Sequence, residues 1–291
     1  MSERIRNTTC FIRSRLNIAP HRYYTDMPGG AVETGGLPAP QVGIVLGSGL
    51  GALADSIETI GTLDYAEIPD FPRSTVPGHR GRFIYGRLGG KYVIAMEGRV
   101  HYYEGYPIRD VVLPVRVLCC LGIETLIVSN AAGGLTPLFQ VGDIMVIEDH
   151  INLIPNPLVG PNDAVLGERF PDMTQPYDRK LIALAHRVAR EQGFSLRQGC
   201  YVGTTGPSFE TPAEVRYFHT IGGDAIGMST TPEVIVARHQ KVPVLGFSLI
   251  TNALREPGIA ETPLTHAEVM EAGERATPRL CALVSEVVAR L

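Results

Sequence analysis

Two short stretches of this chain end in side chains suited to a flat heterocycle. Phe209 and Glu210 close the turn Gly203-Thr204-Thr205-Gly206-Pro207-Ser208-Phe209-Glu210, and Asn252 follows the apolar run from Val242 to Ile250. An aromatic ring satisfies the apolar face of a purine. A carboxylate accepts the N1–H of a 6-oxopurine, and an amide NH2 serves its N7/O6 edge. A further set suits an anion. Arg99 and His101 alternate within Glu97–Tyr106, so on extended backbone both point one way. The Arg fork matches phosphate oxygens and the His adds another hydrogen bond. Ser48, in Gly47-Ser48-Gly49-Leu50-Gly51-Ala52, adds a hydroxyl where backbone N–H groups at a helix start can cradle a small anion.

These residues need strand ends to hold them, and the hydrophobic pattern supplies them. Val42–Leu46 predicts a buried strand before the Gly-rich turn. Phe83–Leu88 and Lys91–Met96 predict a hairpin closed by Gly89-Gly90. Asp110–Leu121 predicts a helix, and Thr125–Ser129 a strand ending at the small residues Asn130-Ala131-Ala132-Gly133-Gly134, where a ligand can approach the backbone. Asp143–Glu148 and Gly199–Gly203 predict further strands, and Tyr177–Gln192 a helix. Thr211, Pro212 and Glu214 form a capping box for a helix after Glu210. Ala225-Ile226 predicts a short strand running into Gly227-Met228-Ser229-Thr230-Thr231-Pro232-Glu233, a second strand-to-helix turn. Thr265-His266-Ala267-Glu268 is another capping box, opening a helix to Leu291. Strands alternating with helices indicate an α/β fold with a central mixed sheet surrounded by helices, and ligands bind such sheets at the carboxyl ends of strands.

The chain has 291 residues, 44% hydrophobic content and a net charge of −4 with the signs interspersed. It can bury a large core. No basic face indicates nucleic acid, and no apolar run approaches the roughly 20 residues of a membrane span. Its five cysteines lack metal-ligand spacing, and an odd count with an adjacent pair fits reduced thiols in a cytoplasmic protein. Residues 1–40 read as an N-terminal helix around Thr8–Leu16 and a flexible Gly/Pro-rich linker from Pro28 to Pro40, with 41–291 as one domain. The arginine surplus near the start also has the character of an organellar transit peptide, the weaker of the two readings.

The wording of Ser208-Phe209-Glu210-Thr211, Gly227-Met228-Ser229-Thr230 and Phe247-Ser248-Leu249-Ile250-Thr251-Asn252 resembles the trimeric purine nucleoside phosphorylase family. The resemblance extends from about Val42 to Ala272. It implies reversible phosphorolysis of inosine- or guanosine-type (deoxy)nucleosides to free purine and (deoxy)ribose 1-phosphate, in purine salvage. It further implies a phosphate site of Ser48, His79, Arg99, His101, Ala131 and Ser229, and a base site of Asn130, Ala131, Phe209, Glu210 and Asn252. The ribose would meet Tyr103, Met228 and His266, together with Phe170 from a neighbouring subunit of a homotrimer. Asn252, Glu210 and His101 would carry the catalysis, with no metal or organic cofactor. Two other readings compete. One is a methylthioadenosine phosphorylase, which reads a 6-amino purine and typically carries Asp where Asn252 stands. The other is an NAD-dependent oxidoreductase using the loop Gly47–Ala52, which requires a parallel strand ending in an acid about 20 residues on.

Overall fold

The computed structural model describes residues 2–20, 35–47, 51–76, 80–253 and 266–291, the last segment with its side chains from Ala276 onward. The strands are β1 (Val42–Leu46), β2 (Glu58–Asp64), β3 (Arg82–Leu88), β4 (Lys91–Glu97), β5 (Thr125–Gly134), β6 (Ile144–Asn152), β7 (Arg197–Gly203), β8 (Ala225–Gly227) and β9 (Val244–Ala253). They form one sheet in the order β2-β3-β4-β1-β5-β8-β7-β6-β9. Because β9 also pairs with β5, the last five strands close on themselves as a barrel and the first four extend from it as an open wing. The sheet is mixed: β1 is parallel to β4 and β5, β9 is parallel to β5, and β6 is antiparallel to β9. The α/β class with a central mixed sheet is thus the observed one.

The register explains where the site can form. Leu46 lies opposite Glu97, and Val45 opposite Val128. The residues just beyond those pairs, Gly47, Arg99 and Ser129–Asn130, therefore emerge side by side. There the β1–β5 ladder stops, and the Ser129 hydroxyl takes its place: it donates to Val45 O at 2.9 Å and accepts from Gly47 N–H at 3.1 Å. Gly47 is required here, because a Cβ would collide with the Ser129 carbonyl.

The helices described are α1 (Ser2–Leu16), α2 (Gly51–Ala54), α3 (Ile108–Val111), α4 (Leu113–Leu121), α5 (Arg179–Glu191), α6 (Pro212–Thr220), α7 (Thr231–His239) and α8 (His266–Ala289). The helix expected over Asp110–Leu121 is divided at Val112. Pro114 lacks the N–H that would continue the ladder across the junction, and Gly122, at φ 101°, ends α4. The strand expected over Thr125–Ser129 runs on to Gly134, since Asn130–Gly134 finds a ladder partner in β9. The strand expected over Asp143–Glu148 likewise runs on to Asn152, held by β7. The N-terminal helix begins at Ser2, earlier than Thr8. Ile5 and Ile12, spaced on one face, are fully buried in the main core. Arg4 pairs with Asp110 at 2.5 Å, tying this helix to the body of the fold. The linker expectation falls largely on residues outside those described, although Ile18 and Leu37 form a β-bridge across it. The capping residue Thr265 is also outside them.

The dinucleotide reading fails on topology. The strand that should follow the Gly47–Ala52 loop as a buried parallel neighbour is β2, which is largely exposed and antiparallel to β3 at the sheet edge. β1 is flanked by β4 and β5 instead. Among the described residues, no helix is long and apolar enough to cross a membrane.

Candidate active site

One cleft at the strand ends gathers residues from six segments. Gly47 follows β1, and Arg99, His101 and Tyr103 follow β4. Asn130–Gly133 comes from β5, Phe209 and Glu210 from the β7–α6 loop, Ile226–Ser229 from β8 and its turn, and Thr251 and Asn252 from β9. The cleft thus brings together Arg99, His101, Tyr103, Asn130, Ala131, Phe209, Glu210, Met228, Ser229 and Asn252. Ser48 and His79 lie outside the described residues, as does the His266 side chain. Phe170 is in none of these walls. It is 84% exposed, under the Arg169 guanidinium, and borders a separate depression with Val159 and Pro171.

At the anion end, Arg99 is only 1% exposed. Its Nη1 donates to Ser229 Oγ and to Thr230 Oγ1, each at 2.9 Å, and Nη2 donates to the Ser129 carbonyl. Nη1 also lies 3.3 Å from Glu233 Oε2 in the first turn of α7. Asn130 donates from its amide to Thr230 Oγ1 at 2.9 Å. Thr230 thereby accepts from two neighbours, and it does so from a backbone at φ 65°, which a β-branched residue adopts only under strain. The strain turns its hydroxyl toward Arg99 while the Ser229 N–H meets the Tyr201 hydroxyl at 3.4 Å.

His101 is buried and stacks on Tyr103 with ring centroids 4.7 Å apart. Its backbone N–H and its Nδ1 both contact Glu104 Oε1, at 2.7 and 3.0 Å. Thr75 donates to Glu104 Oε2 from its N–H at 2.5 Å and its hydroxyl at 2.7 Å. Burial alone would raise Glu104, but these hydrogen bonds from His101 and Thr75 outweigh it and hold its pKa at about 2. The carboxylate is therefore ionised at neutral pH and accepts from Nδ1–H, which fixes the neutral tautomer with Nε2 as the ring's acceptor. Burial lowers the His101 pKa, and the Arg99 charge adds to the effect. A neutral imidazole in that tautomer can accept the P–OH proton of a bound phosphate.

At the base end, Phe209 is 44% exposed and Glu210 half-buried. Burial raises the Glu210 pKa, and the neighbouring Glu214 charge raises it further. The expected capping box starts α6 behind it: Thr211 Oγ1 accepts from Glu214 N–H, and Glu214 accepts from Thr211 N–H at 2.7 Å. Asn252 sits opposite Gly133 across the β5–β9 ladder. The Thr251 hydroxyl lies 3.1 Å from Asn252 Oδ1 and 3.4 Å from the Ala132 carbonyl, tying the end of β9 to β5 beside the Asn252 amide. Met228 packs over Gly206, which stands at φ 59° where a Cβ would strike the Met228 sulfur. Thr230, Glu233, Glu104, Ser129 and Thr251 carry this geometry without having been singled out in the sequence. Nothing in their spacing marks them, since each acts through a partner brought close by the fold.

The fold and cleft define a nucleoside-handling phosphorolytic class, and comparison with known proteins agrees. The chain belongs to the phosphorylase superfamily, whose family model matches residues 41–289. Within it, the relatives are purine nucleoside phosphorylases. Purine nucleoside phosphorylase 1 of Geobacillus stearothermophilus is 53% identical over 251 residues, covering 86% of this chain and 91% of the relative. The Bos taurus purine nucleoside phosphorylase is 50% identical over 258 residues, covering 87% and 89%. Among solved structures, the Schistosoma mansoni purine nucleoside phosphorylase in complex with inosine superposes with a TM-score of 0.87 at 37% identity, covering 99% of this chain and 96% of that one. A Schistosoma purine nucleoside phosphorylase in complex with guanosine gives 0.85 at 36%, covering 99% and 97%. This chain is a purine-nucleoside phosphorylase, a pentosyltransferase of purine salvage.

Proposed function

We propose that the enzyme cleaves 6-oxopurine nucleosides such as inosine and guanosine, with the cleft residues in the following roles. The pairing of Glu210 with Asn252 at one end of the cleft carries this reading. Glu210 accepts the base N1–H, and the Asn252 amide donates to N7 or O6. Phe209 covers the ring face, beside the Asn130–Ala131 wall. Ser229, Arg99 and His101 hold phosphate, with Ser48, His79 and the Ala131 backbone completing that end. Tyr103, Met228 and His266 meet the ribose.

As the glycosidic bond lengthens, the sugar gains oxocarbenium character and electrons move into the purine. Asn252 stabilises the charge arriving at N7/O6, while the phosphate dianion beneath C1′ stabilises the cation and then captures it. Positioning and preorganised charge suffice, and no covalent enzyme intermediate is required. An asparagine at this strand end favours an oxopurine over a 6-aminopurine, because its amide can offer a donor to O6 where an aspartate could offer only an acceptor. That speaks against methylthioadenosine as substrate.

We infer that the enzyme assembles as a homotrimer. Phe170 at 84% exposed, Val159 at 72% and Leu153 at 43% leave apolar surface in and around a depression separate from the cleft. We infer that Phe170 closes the ribose side of a neighbour's pocket and that the enzyme works in the cytoplasm. The deciding assay follows hypoxanthine release from inosine with and without phosphate. Release that depends on phosphate and yields ribose 1-phosphate is expected. Phosphate-independent release would overturn the reading, as would binding of inosine without turnover.

A further inference from the structure

Arg99 and Glu233 form a buried ion pair. Their side chains are 2% and 3% exposed, with Arg99 Nη1 3.3 Å from Glu233 Oε2. An arginine cannot discharge by losing its proton, so burying it in the empty cleft requires an anion close by. Glu233 supplies that charge from the first turn of α7, where the helix N-terminus favours a carboxylate. The helix end alone does not explain why the carboxylate is driven inside against a guanidinium. Phosphate held by Arg99 and Ser229 would draw on the same two positive features, the Arg99 fork and the start of α7. Both anions are then served by one cation.

We propose that Glu233 is a positioning residue and standing counter-anion: it holds Arg99 in the empty site and competes with phosphate for its charge. This rests on the reading of Arg99 as a phosphate ligand. The pair is balanced when the site is empty. Bound phosphate must share Arg99 with Glu233 and is repelled by the carboxylate, so it binds less tightly than a lone buried arginine would hold it. The same competition speeds release of phosphate and of ribose 1-phosphate, which suits an enzyme whose reaction runs in both directions.

The test is Glu233→Gln, which keeps shape and one acceptor but removes the charge. The KM for inorganic phosphate should fall by about tenfold, the scale of a close charge pair, while the nucleoside KM at saturating phosphate stays near its original value. The second readout is melting temperature with and without inorganic phosphate. Without phosphate the variant should melt lower, and phosphate should raise its melting temperature by more than it raises that of the parent enzyme, because the ligand restores the missing counter-anion. A purely structural Glu233 would lower both melting points alike and leave the phosphate KM unchanged or raised, which overturns the proposal. If the glutamine variant does not fold, Glu233→Asp withdraws the charge by one methylene and should shift the phosphate KM the same way by a smaller factor. No shift, or a rise, overturns it equally. Arg99→Ala separates the two levels of inference. An unchanged phosphate KM in Arg99→Ala removes Arg99 from the site, whereas a raised KM there with no fall in Glu233→Gln refutes only the role of Glu233.

Discussion

Replacing Glu104 by Gln isolates the carboxylate that aims His101. Four donors converge on it: the His101 N–H and Nδ1, and the Thr75 N–H and hydroxyl. The side chain is 2% exposed. A glutamine presents one carbonyl oxygen and turns an NH2 toward two of the donors, so at least two contacts are lost. The depressed pKa gives the magnitude. A fall from 4.5 to about 2, at roughly 1.4 kcal/mol per pH unit, corresponds to about 3.5 kcal/mol of stability. Because the glutamine keeps one acceptor oxygen and part of these contacts, the expected loss is about 2 kcal/mol, or about 4 °C in melting temperature for a chain of this size. The sign follows from the direction of the shift. A folded-state pKa below the unfolded one gives stabilisation that is fully present above about pH 4.5 and is lost as pH falls toward 2. Melting curves of parent and variant should therefore differ by the same amount at pH 7 and pH 5.5, then converge below about pH 4.5. In kinetics the phosphate KM should rise, since His101 loses its tautomer and its aim. Equal melting temperatures at pH 7 would refute the reasoning. So would a gap that narrows between pH 7 and 5.5, since that would point to His101 and not to Glu104.

Two further outcomes test the site from its other end. Asn252→Asp should lower kcat/KM for inosine and guanosine and raise it for adenosine relative to them, because an acceptor then faces the 6-position; an unchanged inosine-to-adenosine ratio would show that Asn252 does not read the base. Phe170→Ala should weaken nucleoside binding while leaving phosphate binding nearly intact, and co-expression with Glu210→Ala should recover activity in hybrid oligomers that contain one intact shared site. Mixtures no better than the two variants apart, or a fully active monomer in sedimentation, would exclude a shared pocket.

The parts of the fold legible in sequence were those where local pattern and tertiary demand coincide. Val42–Leu46 is a continuous apolar run bounded by Gly, and its strand occupies those same residues. The Gly89-Gly90 hairpin and the Thr211 cap were legible because turn and cap chemistry is written in single residues. By contrast, Asn130–Gly134 has no intrinsic strand preference and becomes strand only because β9 and β8 offer it ladders. Barrel closure through β5–β9 joins segments more than a hundred residues apart, which no window of sequence contains. In the cleft, Glu210, Arg99 and His101 stood out because the ligand chemistry demands those types. Glu233 and Thr230 did not: one reads as an ordinary helix-start acid, and the left-handed backbone of the other leaves no mark on a threonine.

Strand β5 belongs to both the open wing and the barrel, and this gives the cleft a seam. At the anion end, the segment after β4 carries Arg99 and His101, and the turn after β8 carries Ser229. At the other, the β7–α6 loop and β9 carry Phe209, Glu210 and Asn252. The two groups share the backbone of Ala131–Gly133. Variation in the β7–α6 loop and at the end of β9 can accordingly re-aim the choice of nucleobase, one loop or one strand end at a time, while the residues of the anion end stay as they are. A lineage built on this sheet is free to diverge in what it recognises without having to reinvent the reaction it performs.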